Sequence, residues 1–140
     1  MTIAVGAETA DGVFAGLTAD GKQAIFAAPA DLGTTMTFNE ATQAIEEKNK
    51  ENYLGHNDWQ IGARDVMRVL CQNQNEGVLS GTFKTEVRRG PAFPHWYFSY
   101  SKPSFVTGIR FLDGSEHYHH KDFLRLSCRP VRLVAVPALP

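Results

Sequence analysis

The sequence predicts an α+β domain: a β-hairpin, two consecutive helices, then an antiparallel sheet. Three observations carry this prediction. Two short apolar runs flank an Asp20-Gly21 turn, two amphipathic helical patterns follow with no strand between them, and the back half is rich in aromatic and β-branched residues. Strands and helices are segregated rather than alternating, which argues against a parallel α/β sheet. The 140 residues suit one domain spanning 1–140, because a chain of this length buries roughly 70% of its unfolded surface.

Val13–Leu17 and Gln23–Ala27 flank Thr18-Ala19-Asp20-Gly21, a hairpin pattern, and Pro29–Gly33 reads as a loop. Thr37-Phe38-Asn39-Glu40 has the form of a capping box, in which hydroxyl and carboxylate accept from N–H groups that the first turn leaves unpaired. Phe38, Ala41 and Ile45 recur at helical spacing, with Glu46, Glu47, Lys48 and Lys50 outside that stripe, so a first helix spans about 38–51. Turn chemistry at Leu54–Asp58 precedes a second helix that starts near Gly62 or Ala63, with Asp65 where its charge favours the helix dipole. Val66, Val69, Leu70 and Asn73 form the inner face beside Met67, and Gly77 is the expected stop. Trp96–Tyr100 reads as a strand. Val106–Leu112 and Ser115–His119 read as a hairpin around Asp113-Gly114. Leu124–Val134 reads as one last strand, in which Pro130 predicts a bulge or an edge position.

Composition excludes several classes. Apolar residues are 43% and charged residues 21%, an ordinary globular balance. No apolar run is long enough for a membrane span, and residues 1–15 show no secretory signal pattern. A net charge of −1 argues against nucleic-acid binding held by counterion release. Two cysteines exclude a disulfide scaffold and a four-thiolate zinc site. The charge is unevenly spread: residues 1–83 hold eleven acids and five bases, residues 84–140 four acids and nine bases. Either the two halves neutralise each other within one fold, or the back half offers a basic recognition face.

Several segments, in order, resemble a known family. Asp11–Gly16 and Phe26–Asp31 are similar to its opening hairpin, Phe38-Asn39-Glu40-Ala41 to the start of its first helix, and Gly55–Ile61 to its Asp-Trp-Arg-Leu-Pro approach to the second. Val69–Asn73 resembles its Leu-x-x-Asn helix and Trp96–Ser101 its Trp-Tyr-Trp-Ser-Ser strand. Phe111–Gly114 and Arg125–Arg132 resemble its closing strands. On residues 11–134 the chain thus resembles the Lcl C-terminal domain family, the terminal domain of a collagen-like bacterial adhesin that also occurs in phage and prophage proteins. The resemblance implies a C-type-lectin-like fold, two helices packed on a twisted antiparallel sheet with long loops on one side. Here Gly62-Ala63 stands where the family has Pro-Thr, Phe98 where it has Trp, and Tyr100 where it has Ser.

On a strand His117 and His119 point to one face, about 6–7 Å apart. With His120 and a carboxylate from Asp113, Glu116 or Asp122 they could hold a transition metal, and the alternative is a polar exposed hairpin. The Glu-Pro-Asn loop and Trp-Asn-Asp strand with which lectins of this fold class bind calcium and sugar are missing. Nothing matches a Gly-x-Ser-x-Gly elbow, a His-Glu-x-x-His zinc helix or a phosphate loop, so no enzyme and no cofactor are expected. Cys71 and Cys128 read as buried free thiols, and Trp59 and Trp96 as core residues. Tyr97, Tyr100 and Tyr118 are candidates for a solvent-facing ligand surface. The longest irregular stretch, Lys84–His95, combines arginines that pair with anions and aromatics that stack, and loops on rigid sheets carry binding residues.

The expected function is a recognition or assembly domain, encoded by a phage or prophage and carried on the virion as a fibre, tail-tip or capsid-decoration part. It would be made in the cytoplasm without a signal peptide and act on the particle or cell surface. Its partner would be another protein or a cell-surface glycan, bound by Arg88, Arg89, Phe93, His95, Tyr100, Tyr118 and His119 at one end of the sheet. A lectin-like head on a fibre is often a trimer. This chain has neither collagen repeat nor heptad stalk, so oligomerisation would need a partner or a self-complementary patch. The alternative is a cytoplasmic regulator that binds a host protein.

Overall fold

A computed structural model of the chain describes residues 3–86, 92–100, 105–120 and 125–136, with the backbone alone at 105, 106 and 118–120. Its class is α+β. The strands are β1 (Glu8–Thr9), β2 (Gly12–Leu17), β3 (Gln23–Ala27), β4 (Ala92–Ser99), β5 (Phe105–Arg110), β6 (Glu116–His120), β7 (Arg125–Ser127) and β8 (Val131–Ala135). The helices are α1 (Phe38–Lys50) and α2 (Arg64–Gln72). Two four-stranded sheets form, in the orders β1-β2-β3-β8 and β6-β5-β4-β7. All pairs are antiparallel except β4 with β7, which run parallel.

The first hairpin and α1 follow the sequence closely. The Thr37 hydroxyl accepts from Glu40 N–H at 3.2 Å, and the Glu40 carboxylate accepts from Thr37 N–H at 2.9 Å, completing the capping box. Ala41 and Ile45 are the buried residues of α1. On α2 they are Val66, Met67 and Leu70. A bulge at Ala15 shifts the β2–β3 register between Phe14 and Gly16. Gly16 sits at φ +132°, and a Cβ there would lie 2.8 Å from Val69 Cγ1. Only glycine lets α2 approach β2 this closely, and Asn73 Nδ2 then donates to Ala15 O at 2.7 Å.

Three expectations are corrected. The stretch 124–134 is two strands rather than one. The chain leaves β7 at Ser127, crosses Cys128-Arg129-Pro130, and enters β8 in the other sheet. Proline has no N–H to extend a ladder. The carbonyls of Cys128 and Pro130 instead accept from Leu32 and Ala28, at 3.0 and 2.9 Å. The expected single sheet is therefore a pair of sheets joined by the last strand-to-strand crossing. Finally, α2 ends at Gln72 with Asn73 as its cap, before Gly77. Gly77 lies at φ +48° in a short 3-10 turn, where a Cβ would stand 2.5 Å from Gly6 O. It is there for close backbone approach, with Val78 N–H donating to Gly6 O at 2.8 Å.

The core lies in three clusters. Between the sheets, α2 packs Val66, Met67 and Leu70 against Val13, Ile25 and Ala27 of one sheet, Tyr97 and Ile109 of the other, and Phe111 in the turn after β5. On the outer side of the second sheet, α1 packs Ala41 and Ile45 on Phe98, Leu126, Cys128 and Trp59. Phe14, Ala24 and Phe26 form a smaller cluster with Ile3 and Val5.

Candidate functional site

Between α1 and the extended segment 59–63 lies an open groove of about 490 Å³. The volume falls within the range of ligand sites. Its floor is apolar: Ile45 and Trp59 are buried, and Phe38 meets Phe98 edge to face at 5.7 Å. Along the α1 wall stand Thr42, Glu46 and Asn49, at the i, i+4, i+7 spacing of one helical row. Gln60, Ile61 and Ala63 form the opposite wall, and Tyr100, 50% exposed, lies at the end where Ala63 bridges to it.

The walls are held rigidly. The Asn49 side-chain amide donates to Trp59 O at 3.0 Å, and its oxygen accepts from Trp59 N–H at 2.8 Å. Trp59 Nε1 donates to Tyr53 O at 2.9 Å, and the Tyr53 ring packs 5.6 Å from the indole. The 59–63 segment is tied to both sheets, through Gln60 to Val131 of β8 and through Tyr100 N–H to Gly62 O. Glu46 is the one charged side chain among the described lining residues.

The described residues among those proposed from sequence, Phe93, His95 and Tyr100, do not all meet in one place. Tyr100 reaches the groove. Phe93 is half-buried at the other end of β4, its ring 6.4 Å from that of His95, and seven strand residues separate positions by about 23 Å. His95 is 3% exposed, so its expected place on an open loop is corrected: Ala92–Ser99 is strand, and this ring faces inward. Among the described residues its Nδ1 has no hydrogen-bond partner. Burial, and then the nearby Arg110 charge, lower its pKa from the ordinary 6.5. Tyr97, also expected to face solvent, is buried, with its hydroxyl donating to Asp31 at 2.9 Å. Arg88, Arg89 and Asp122 lie outside the described residues, as do the side chains of Tyr118, His119 and His120, although β6 carries the last three.

His117 packs 5.1 Å from the Trp96 ring, and the Arg110 guanidinium lies 5.7 Å over the same indole. Among the described residues no three His, Cys, Asp or Glu side chains converge to hold a metal. Trp59 is core, as expected, while Trp96 is only partly buried. Both cysteines are free thiols, Cys71 half-buried and Cys128 buried, in separate core clusters. Burial pushes the Cys128 thiol up to about 12. Among the described residues no helix is long and apolar enough to cross a membrane.

Sequence reasoning missed most of the groove. The helical pattern places Glu46 outside the apolar stripe of α1 and gives no reason to single out Thr42 or Asn49. The available signal was that polar row beside the apolar stripe, followed by a run, 59–63, with no turn residue until Gly62. No model of a known protein family matches the chain, and no curated protein is similar to it.

Proposed function

We propose that the chain is a recognition domain without chemistry of its own, and that the groove between α1 and the 59–63 segment is its ligand site. The observation that carries this reading is the groove itself: an apolar floor, a rim of hydroxyl, amide and carboxylate groups, and an exposed tyrosine, on walls clamped by Asn49 and by two sheets. Few polar groups over an apolar surface suit orientation of a ligand. Among the described lining residues, the Thr42 hydroxyl donates to Phe38 O at 3.0 Å rather than to Glu46.

The resemblance to the Lcl C-terminal domain family supports a C-type-lectin-like arrangement and a place on a phage or prophage particle, as a fibre, tail-tip or decoration part. The α+β class with two helices and mostly antiparallel sheets is compatible with that fold. Two measurements test the reading. Mass spectrometry of purified particles from the source should detect the chain, and particles that lack it would contradict the virion placement. Arrays of cell-surface glycans and of short peptides, probed with the full chain, should give binding that Tyr100→Ala removes while the melting temperature stays unchanged. An absence of binding on both arrays would contradict the recognition role.

A further inference from the structure

We infer that the ligand of this groove is an extended peptide segment of a protein partner, added as a strand alongside Ile61, with a lysine or arginine facing Glu46. The inference rests on the groove being the ligand site and specifies what occupies it. The 59–63 segment is paired on one side only. Gln60 exchanges both backbone bonds with Val131, at 2.9 and 3.0 Å, and Gly62 O accepts from Tyr100 N–H at 2.8 Å on the same side. In an extended chain, successive residues turn their backbone groups to opposite sides. Trp59, Ile61 and Ala63 therefore turn theirs toward α1.

At Trp59 that side is filled. The Asn49 side-chain amide donates to its C=O and accepts from its N–H, standing where the peptide group of a next strand would stand. Two residues on, the place is vacant. Among the described residues, neither the N–H nor the C=O of Ile61 has a hydrogen-bond partner, and the N–H of Ala63 has none. These three groups have the spacing of a ladder, about 7 Å between alternate residues. A peptide laid in the groove would satisfy all three, with main-chain bonds giving affinity and alternate side chains giving selectivity. One row of its side chains would reach the floor of Phe38, Ile45 and Trp59. The carboxylate of Glu46 has no ion pair among the described residues and is the only charge along the described lining, so complementarity asks for a cation.

The test uses the full chain and a displayed library of short random peptides, followed by synthetic copies of those enriched. Enriched peptides should alternate apolar residues with at least one Lys or Arg. The Ile61 and Ala63 amides should exchange readily in the free chain, and a bound copy should protect both from hydrogen exchange. Methylating the peptide nitrogen that pairs with Ile61 should abolish binding, and Glu46→Lys should weaken it by roughly tenfold. The inference is overturned if the Ile61 amide is already protected in the free chain, or if enriched peptides leave its exchange unchanged. It is also overturned if glycans bind the groove and peptides do not, an outcome that leaves the recognition reading intact. Failure of both ligand classes removes both readings.

Discussion

Arg129 is 1% exposed, yet its guanidinium makes four hydrogen bonds. Nε donates to Asp31 at 2.9 Å, and the two terminal nitrogens donate to Ala28 O, Thr82 Oγ1 and Thr82 O. Its flat face lies 4.0 Å over Phe83. Asp31 also accepts from the Tyr97 hydroxyl, which burial and the Asp31 charge hold far above the usual phenol range. In the sequence Arg125 and Arg129 alternate with Leu126 and Cys128, the pattern of a strand with one wet face. The crossing between sheets leaves no wet face at 129. Arg129→Met should leave the Asp31 carboxylate without its buried guanidinium, with only the Tyr97 hydroxyl and the more exposed Lys84 ammonium beside it, and cost about 3 kcal/mol, read by urea unfolding. His95 gives a second prediction. The unfolded chain takes up a proton near 6.5, and the folded site only at lower pH. Between those values the unfolded chain binds more protons, so stability falls as pH drops below 6.5 and levels once the folded ring is charged. His95→Gln should remove this dependence from urea midpoints collected between about pH 8 and about pH 5.

At the level of elements, α1 was the most legible part of the chain, because its capping box and its apolar stripe are local signals that tertiary packing reinforces. Thr37→Ala should cost about 1 kcal/mol in unfolding experiments, since Glu40 N–H loses its acceptor. The two last strands were the least legible. Leu126 to Val134 has continuous β character, and which sheet each half joins depends on partners far away in sequence: Phe93 for Leu126, and Ala27 for Val131. The parallel β4–β7 pair was likewise hidden, because its register jumps between Phe93 and Tyr97. Pro94 lies in that jump, and its carbonyl accepts from Ser127 Oγ at 2.7 Å. The groove escaped notice for a related reason: its second wall, 59–63, is extended chain outside any strand, shaped by bridges to Val131 and Tyr100.

Across the whole molecule, the acidic front half and the basic back half are cross-linked. Arg125 meets Glu40, Arg129 meets Asp31, and Arg132 meets Asp11 and Asp58, while Glu116 of the back half meets Arg64 and Arg68 of α2. The Arg132 guanidinium bonded to Asp58 holds that carboxyl below its ordinary 3.8. Neutralisation within one fold thus accounts for much of the charge split among the described residues. Most of these pairs are partly exposed and each contributes little alone. Their collective effect is to join segments distant in sequence, among them the Cys128–Pro130 crossing and the Asp58 end of the segment that forms one wall of the groove. The most direct measurement of the central claim is amide shift mapping of the full chain, titrated with whichever array ligand binds. The largest shifts should fall on Thr42, Glu46, Gln60, Ile61, Ala63 and Tyr100. Shifts confined to the free edge of β6, with those groove amides unmoved, would contradict it.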